Sequence, residues 1–339
     1  THEPSRMQMV PQGVVVREVG RAVSQIAISS RYLVWEAAAP ESQNIPVLRQ
    51  RDLRTGEVTT LAVDVLPDYG VASTRKWVVY ANQSPSGRVR LVAVHHDGSS
   101  QVTLNGYLAA PIDSRGEAVA WAGVDGSNFD VVVRDMRSGS EWLAASPPRC
   151  SSGRCYRIDA VSLAARGVAF DKGAVGPQPS IIVRRAFNAG SASSAPVPHD
   201  PQPDIAPSST GALYYRYFHG WYAWNFGASR PHETIYRGAT PPPVLRSEGR
   251  RFFLAVSNAG CDSGVVARAG RGPKTVVQPA NVIARFISKG RARCAHVTDL
   301  AWTGRQVLTA WSLESVRAEN NHTDAGLLGL VIATPPLHH

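Results

Sequence analysis

Short runs of β-branched and aromatic residues alternate along the chain with clusters of Gly, Pro, Ser, Asn and Asp, while the 3.6-residue period of an amphipathic helix is almost absent. That pattern predicts strands joined by turns. A unit recurs within it: a short strand, a polar turn, then a strongly apolar strand ending in an aromatic. Ile26-Ala27-Ile28-Ser29-Ser30-Arg31-Tyr32-Leu33-Val34-Trp35 and Ile112-Asp113-Ser114-Arg115-Gly116-Glu117-Ala118-Val119-Ala120-Trp121 are two copies, and 205–215 is a third. Weaker copies end near Tyr80, Phe170, Leu254 and Trp311, so the ends recur about every 46 residues, a blade-sized period.

Each unit continues into a third strand, such as Val131-Val132-Val133 or Ile181-Ile182-Val183, and through a tight turn into a fourth. The turns hold glycine (Gly56, Gly98, Gly139), because hairpin turns need positive φ. Repeated four-stranded units predict an all-β chain, a seven-bladed β-propeller with four antiparallel strands per blade. The blades fall at roughly 20–63, 69–105, 110–145, 156–198, 203–237, 242–278 and 295–334, in one domain over 1–337. The last unit is one strand short. The run 13–19 can supply it, so that an N-terminal strand closes the last blade and removes a free edge.

The units resemble TolB-type blades, within the wider class of WD40-like propellers. The signature is an apolar residue, a Ser-Pro-Asp-Gly or a relative, then an apolar strand. Pro207-Ser208-Ser209-Thr210-Gly211 and Asp113-Ser114-Arg115-Gly116 match it in degraded form. The resemblance covers nearly the whole chain and implies architecture, not activity. Peptidases with such propellers add an α/β-hydrolase domain, but this sequence has neither a Gly-x-Ser-x-Gly elbow nor a stretch left for that domain.

The net charge of +10 comes mainly from arginine, with lysine only at Lys76, Lys172, Lys274 and Lys289. Arginines are spread over every repeat without a long run, which reads as genome composition rather than as a partner. No zinc finger, RNP-like strand or aromatic-interleaved basic stripe points to nucleic acid. The longest apolar run, 325–333, is too short to span a bilayer as a helix. Thr1-His2-Glu3-Pro4 reads as a processed terminus or an engineered junction, and His338–His339 as the stub of a tag. An even number of cysteines then suggests an oxidising location, secreted or extracytoplasmic (periplasm or cell envelope), in a bacterium.

Strand order sorts the loops onto two faces. The tight turns make one, expected to be bland. The other takes the long connections, such as 147–156, 278–295 and 313–325, where function usually lies. The loop-face histidines are His199, His219, His296 and His322, with Asp125, Asp171, Asp200, Asp262 and Asp324 as nearby acids. The candidate catalytic residues are His219, His296 and Asp171, a histidine–carboxylate set suited to proton transfer. Tyr217, Phe218, His219 and Trp221 form a candidate stacking platform, and His199 and His322 are further candidate ligand contacts. Alternate members of that aromatic run (214–224) are expected in the core. His95 and His96, beside an Asp-Gly turn, are expected to be solvated. No cofactor is expected; a divalent metal in the central channel is the open alternative. The functional expectation is a monomeric, secreted, non-catalytic propeller that binds a protein or envelope ligand through its loop face. The rival is a propeller lyase or hydrolase with a His/Asp site at the channel mouth.

The cysteine positions generate a test. Cys261 and Cys294 fall on neighbouring loops, and Cys150 and Cys155 close a small loop of their own. A peptide map without reductant should return Cys150–Cys155 and Cys261–Cys294; a crossed pairing or four alkylatable thiols would refute the assignment.

Overall fold

The computed structural model describes residues 13–19, 23–37, 46–67, 69–108, 110–151, 154–175, 179–197, 205–216, 220–233, 245–248, 251–258, 261–269, 274–276, 294–303, 306–314 and 323–332. Every helix- or strand-type element among the described residues is a β-strand, in line with the expected all-β class. After β1 (Gly13–Val19), an antiparallel meander runs through β2 (Val23–Ile28), β3 (Tyr32–Ala37), β4 (Val47–Asp52) and β5 (Val58–Val63). A second comprises β6 (Ala72–Ser73), β7 (Trp77–Gln83), β8 (Val89–His95) and β9 (Gln101–Leu108). The third is β10 (Asp113–Arg115), β11 (Ala118–Asp125), β12 (Asn128–Asp135) and β13 (Glu141–Ala145), and β9 pairs with the end of β11, Leu108 opposite Gly123.

A hairpin of β14 (Cys150–Ser151) and β15 (Arg154–Arg157) comes next. It pairs with the far end of β17 in the meander β16 (Val161–Ala164), β17 (Gly167–Val175), β18 (Ser180–Ala186) and β19 (Ser193–Val197). Then follow β20 (Ile205–Ala206), β21 (Gly211–Arg216), β22 (Gly220–Asn225) and β23 (His232–Glu233), and β24 (Leu245–Glu248), β25 (Arg251–Asn258), β26 (Cys261–Ala269) and β27 (Lys274–Val276). The last sheet joins β28 (Cys294–Thr303), β29 (Gln306–Glu314) and β30 (Thr323–Ile332) to β1, with Val19 opposite Ala325. None of these sheets closes on itself.

The sheets touch through their first strands: β2 against β6, β6 against β10, β10 against β16, β16 against β20, β20 against β24, and β28 against β2. Apolar layers fill the spaces between consecutive sheets. Val34 and Leu48 pack with Val71 and Val78 of the next meander, whereas Trp35, one residue on, packs with Leu308 and Ala310 of the last sheet. Successive side chains of a strand point to opposite faces. A second strand buried on both faces must therefore be apolar throughout, which is why Leu33-Val34-Trp35 and Val119-Ala120-Trp121 read as continuous apolar runs. Trp35, Trp121, Trp311 and Phe170 are fully buried at these ends.

One expectation is corrected. His96 is only 7% exposed, not solvated. Its ring stacks on Tyr32 of the first sheet with centroids 3.9 Å apart, and its Nε2 lies 3.0 Å from the Thr74 carbonyl oxygen. The Asp-Gly turn is exposed, but the first sheet covers the residue before it. His95 is half-buried against Trp77.

Gly167 and Gly211 open second strands where the neighbouring backbone is too close for a side chain. A Cβ would sit 2.2 Å from the Arg185 carbonyl oxygen at Gly167, and 2.2 Å from that of Trp224 at Gly211. Backbone cannot swing aside, so Gly211→Ala should lower stability by about 2–4 kcal/mol, read as a fall in melting temperature. Unchanged melting would show that the two strands can separate without cost.

Candidate functional site

The first strands enclose a cavity of about 590 Å³ that runs along β2 to the Ser29-Ser30 turn and reaches the turns at Arg75 and Arg115. It thus extends to the tight turns, on the side that the sequence led us to expect bland.

Register defines its wall. Counting back one residue from Trp35, Tyr80, Trp121, Phe170, Tyr214, Leu254 and Trp311 in the second strands and crossing the ladder gives Ala27, Ala72, Asp113, Ser162, Ala206, Arg246 and Asp299. Each polar member of this set reaches the next sheet. Asp113 Oδ2 accepts the Leu163 N–H at 2.7 Å, and Asp299 Oδ2 accepts the Ile26 N–H at 2.8 Å. Ser162 Oγ accepts the Ser208 N–H at 3.0 Å, and Arg246 donates to the Leu300 carbonyl oxygen at 3.1 Å. Ala27, Ala72 and Ala206 pack into the apolar layers instead.

Three members meet electrostatically in the cavity wall. Arg246 lies 3.8 Å from Asp113. Burial raises the Asp113 carboxyl above the usual carboxylate range, and the Arg246 guanidinium opposes the rise. Burial also pushes Asp299 up to about 6; Arg246 again pulls it down and Asp113 adds to the rise. Both oxygens of each carboxylate already accept backbone N–H groups, those of Ser114 and Leu163 for Asp113 and those of Leu300 and Ile26 for Asp299. Their observed bonding is that of struts between sheets.

The sequence candidates are placed elsewhere. Asp171 lies on β17 and His296 on β28, in different sheets, with His296 half-buried. Asp171 Oδ1 accepts the N–H groups of Asp159 and Ala160 at 2.9 and 2.7 Å, while its buried Oδ2 has no hydrogen-bond partner among the described residues. Burial, reinforced by the neighbouring Asp159, pushes this carboxyl up to about 7. Trp221 is 4% exposed and packs against Tyr215, with ring centroids 5.6 Å apart. Tyr214, Tyr215 and Trp224 are buried too, as strand alternation predicts, so Trp221 offers no open stacking face. Tyr217, Phe218, His219, His199 and His322 lie outside the described residues. Cys150 stands opposite Cys155 in the β14–β15 ladder, and no described cysteine is free. Among the described residues no group of three or more His, Cys, Asp or Glu could hold a metal, and no helix is long and apolar enough to cross a membrane.

Asp113, Arg246 and Asp299 were missed as a set. The signal was available: each stands opposite the residue before the apolar or aromatic end of a repeat's second strand.

No protein-family model matches the chain, and no curated protein matches it. Its fold is similar to solved propeller structures. The β-propeller domain of the trilobed protease from Pyrococcus furiosus is 10% identical, with a TM-score of 0.55 over 86% of this chain and 91% of that one. A prolyl endopeptidase structure is 11% identical, with a TM-score of 0.58 over 88% of this chain but 46% of its own length. A polysaccharide lyase is 8% identical, with a TM-score of 0.50 over 94% and 91%. The chain spans about half the length of the prolyl endopeptidase and acylaminoacyl peptidase structures it matches. The propeller architecture that the repeats resemble is therefore shown, at the level of fold.

The raised carboxyls give stability a testable pH dependence. A carboxyl whose folded value lies above its unfolded 3.8 favours folding in its protonated form. Its contribution is complete below 3.8 and is lost as pH rises through the folded value, for Asp171 about 7. Asp171→Asn keeps one oxygen for both N–H groups and removes the charge. The fall in melting temperature from about pH 5 to about pH 8 should therefore shrink in this variant; an identical slope would show that Asp171 ionises without penalty.

Proposed function

We propose that this chain is a seven-bladed β-propeller, each blade four-stranded and the last completed by β1, that acts as a non-catalytic binding protein and holds its ligand in the central cavity. The strand ladders and the contact of β28 with β2 support the ring. We place it outside the cytoplasm as a monomer, stapled by Cys150–Cys155 and Cys261–Cys294. The register of Cys150 opposite Cys155 and the lack of a free described cysteine support that placement.

The observation that carries the binding reading is the cavity itself. About 590 Å³ is within the range of small-ligand sites. First strands and turns of several sheets wall it, so a rigid scaffold fixes its shape. The carboxylates in its wall are committed to backbone N–H groups. A further protein or envelope contact through the loop face remains part of the proposal.

A second reading has one observation in its favour. Asp299, near 6 in a cavity wall, has the value that a general acid needs. An enzyme of this kind, lyase or hydrolase, would lose turnover in Asp299→Asn while keeping substrate affinity.

The cavity reading is tested with Ser114→Trp, which places a bulky ring at a half-buried position of the cavity lining. A fragment set screened by saturation-transfer NMR should give ligands of the native protein whose signals vanish in this variant, with melting unchanged. Equal signals in both proteins would sink the central-cavity site.

A further inference from the structure

Five arginines among the described residues have an Nε that is buried without a hydrogen bond: Arg49, Arg90, Arg134, Arg157 and Arg185. Four of them have a partner all the same. Arg134 pairs with Glu141, Arg157 with Asp159, Arg185 donates to the Ala144 carbonyl oxygen, and Arg49 lies over the Trp35 ring. Arg90 is half-buried, and its guanidinium has no hydrogen-bond or ion-pair partner among the described residues. A cation drawn partly out of water without a partner is costly.

Strand parity shows what surrounds it. Val92 and Val94 of β8 pack with Leu48 and Val65 between the first and second sheets, and Arg90 shares their face. It ends that apolar layer on the loop side. There, Pro46, Val65, Leu66, Pro67 and Pro85 wall a hollow of about 480 Å³ into which Arg90 faces. The walls are pinned. The Val65 N–H donates to the Pro46 carbonyl oxygen at 3.3 Å and the Leu66 N–H to that of Ala81 at 3.0 Å, while the Arg88 N–H donates to Ser84 Oγ at 3.1 Å across the β7–β8 turn. The other charged group in the described lining is Asp64, where the chain leaves β5 with a φ of 58°. Asp64 is exposed, and no ion pair joins it to Arg90 among the described residues. Water and salt screen an exposed carboxylate, so it does not compensate the half-buried guanidinium.

We infer that this hollow binds a small apolar carboxylic acid, with the carboxylate on Arg90 and the hydrocarbon against the prolines, Val65 and Leu66. The inference goes beyond the central-cavity reading, because the two hollows share no lining residue. A guanidinium matches a carboxylate through paired N–H bonds. One such group among apolar walls suits a ligand with one charge and an apolar body, and the volume is within the range of small-ligand sites.

The experiment measures calorimetric binding of octanoate, with octylamine, acetate and an N-acetylated tripeptide ending in leucine as comparators. Octanoate should bind tightest, and more weakly as salt rises. Arg90→Met should weaken it about tenfold or more, the scale of one lost charge-assisted contact, and should melt no lower than the native protein, since it removes an unpaired cation. Arg88→Gln, on the exposed turn beside it, should leave binding unchanged, and Asp64→Asn should leave it unchanged or tighten it. Tighter binding of octylamine, or loss of octanoate in Asp64→Asn, would show a site for cations and overturn the inference. Tighter binding of the peptide would move the ligand class to peptide C-termini and overturn the small acid. Equal affinity in Arg90→Met, or a clear fall in its melting temperature, would remove Arg90 as the anchor. Octanoate should bind equally in Ser114→Trp; its loss there would place the acid in the central cavity and sink this second site while leaving the cavity reading intact.

Discussion

The first strand of each meander sets the problem that the rest of the structure solves. It pairs with its own second strand on one side; on the other, the described residues of the next sheet offer it no regular ladder, and the bridge of Ser208 with Ser247 is isolated. Unpaired backbone N–H and C=O groups are costly once water is excluded. One residue per unit answers this from a common register position. Where the next strand presents a buried N–H, a carboxylate or hydroxyl accepts it, as at Asp113, Asp299 and Ser162. Where it presents a carbonyl, Arg246 donates. Where apolar packing closes the gap, alanine suffices. Consecutive sheets are thus joined both by these short links and by the apolar layers.

The same links explain why buried acids here are weak evidence for chemistry. A carboxylate used as a strut must be dry and must accept N–H groups. Dryness raises its protonation value, and the accepted bonds only partly lower it again. Asp299 and Asp171 come to about 6 and about 7 by this route, with no histidine among the described groups that shift them. Perturbed titration marks active sites only when the group also faces a reacting partner, and neither of these is shown to do so. The functional weight therefore shifts from the acids to the cavity that the first strands leave between them.

Much of this fold was legible because its determinants are local. Aromatic strand ends such as Trp35 and Trp121, and glycines in tight turns such as Gly98, depend on a few adjacent residues. What the sequence hid depends on packing between units. Asp97 and Asp113 are the same residue type, each beside a turn, yet one is solvated and the other buried. The difference lies in Leu163, fifty residues on, which presents its N–H to Asp113. His96 read as a turn residue because nothing nearby says that Tyr32, of the preceding unit, covers it. Trp221 read as a platform candidate, and alternation alone could have placed it in the core with Tyr215. Several candidate ligand contacts fall where local pattern is weakest.

Position along the first strand separates the links between sheets from the turns in these units. Asp113 faces the next sheet, and Arg115, two residues later, has reached the turn and the cavity mouth. A substitution at the turn can change charge without touching a link between sheets, and one at the link can change stability without altering the mouth. Asp113, Arg246 and Asp299 do both, linking sheets and lining the cavity. Arg246 donates across to Leu300, stands beside Asp113 and lines the cavity. A ligand in the cavity would meet the same guanidinium that links two sheets.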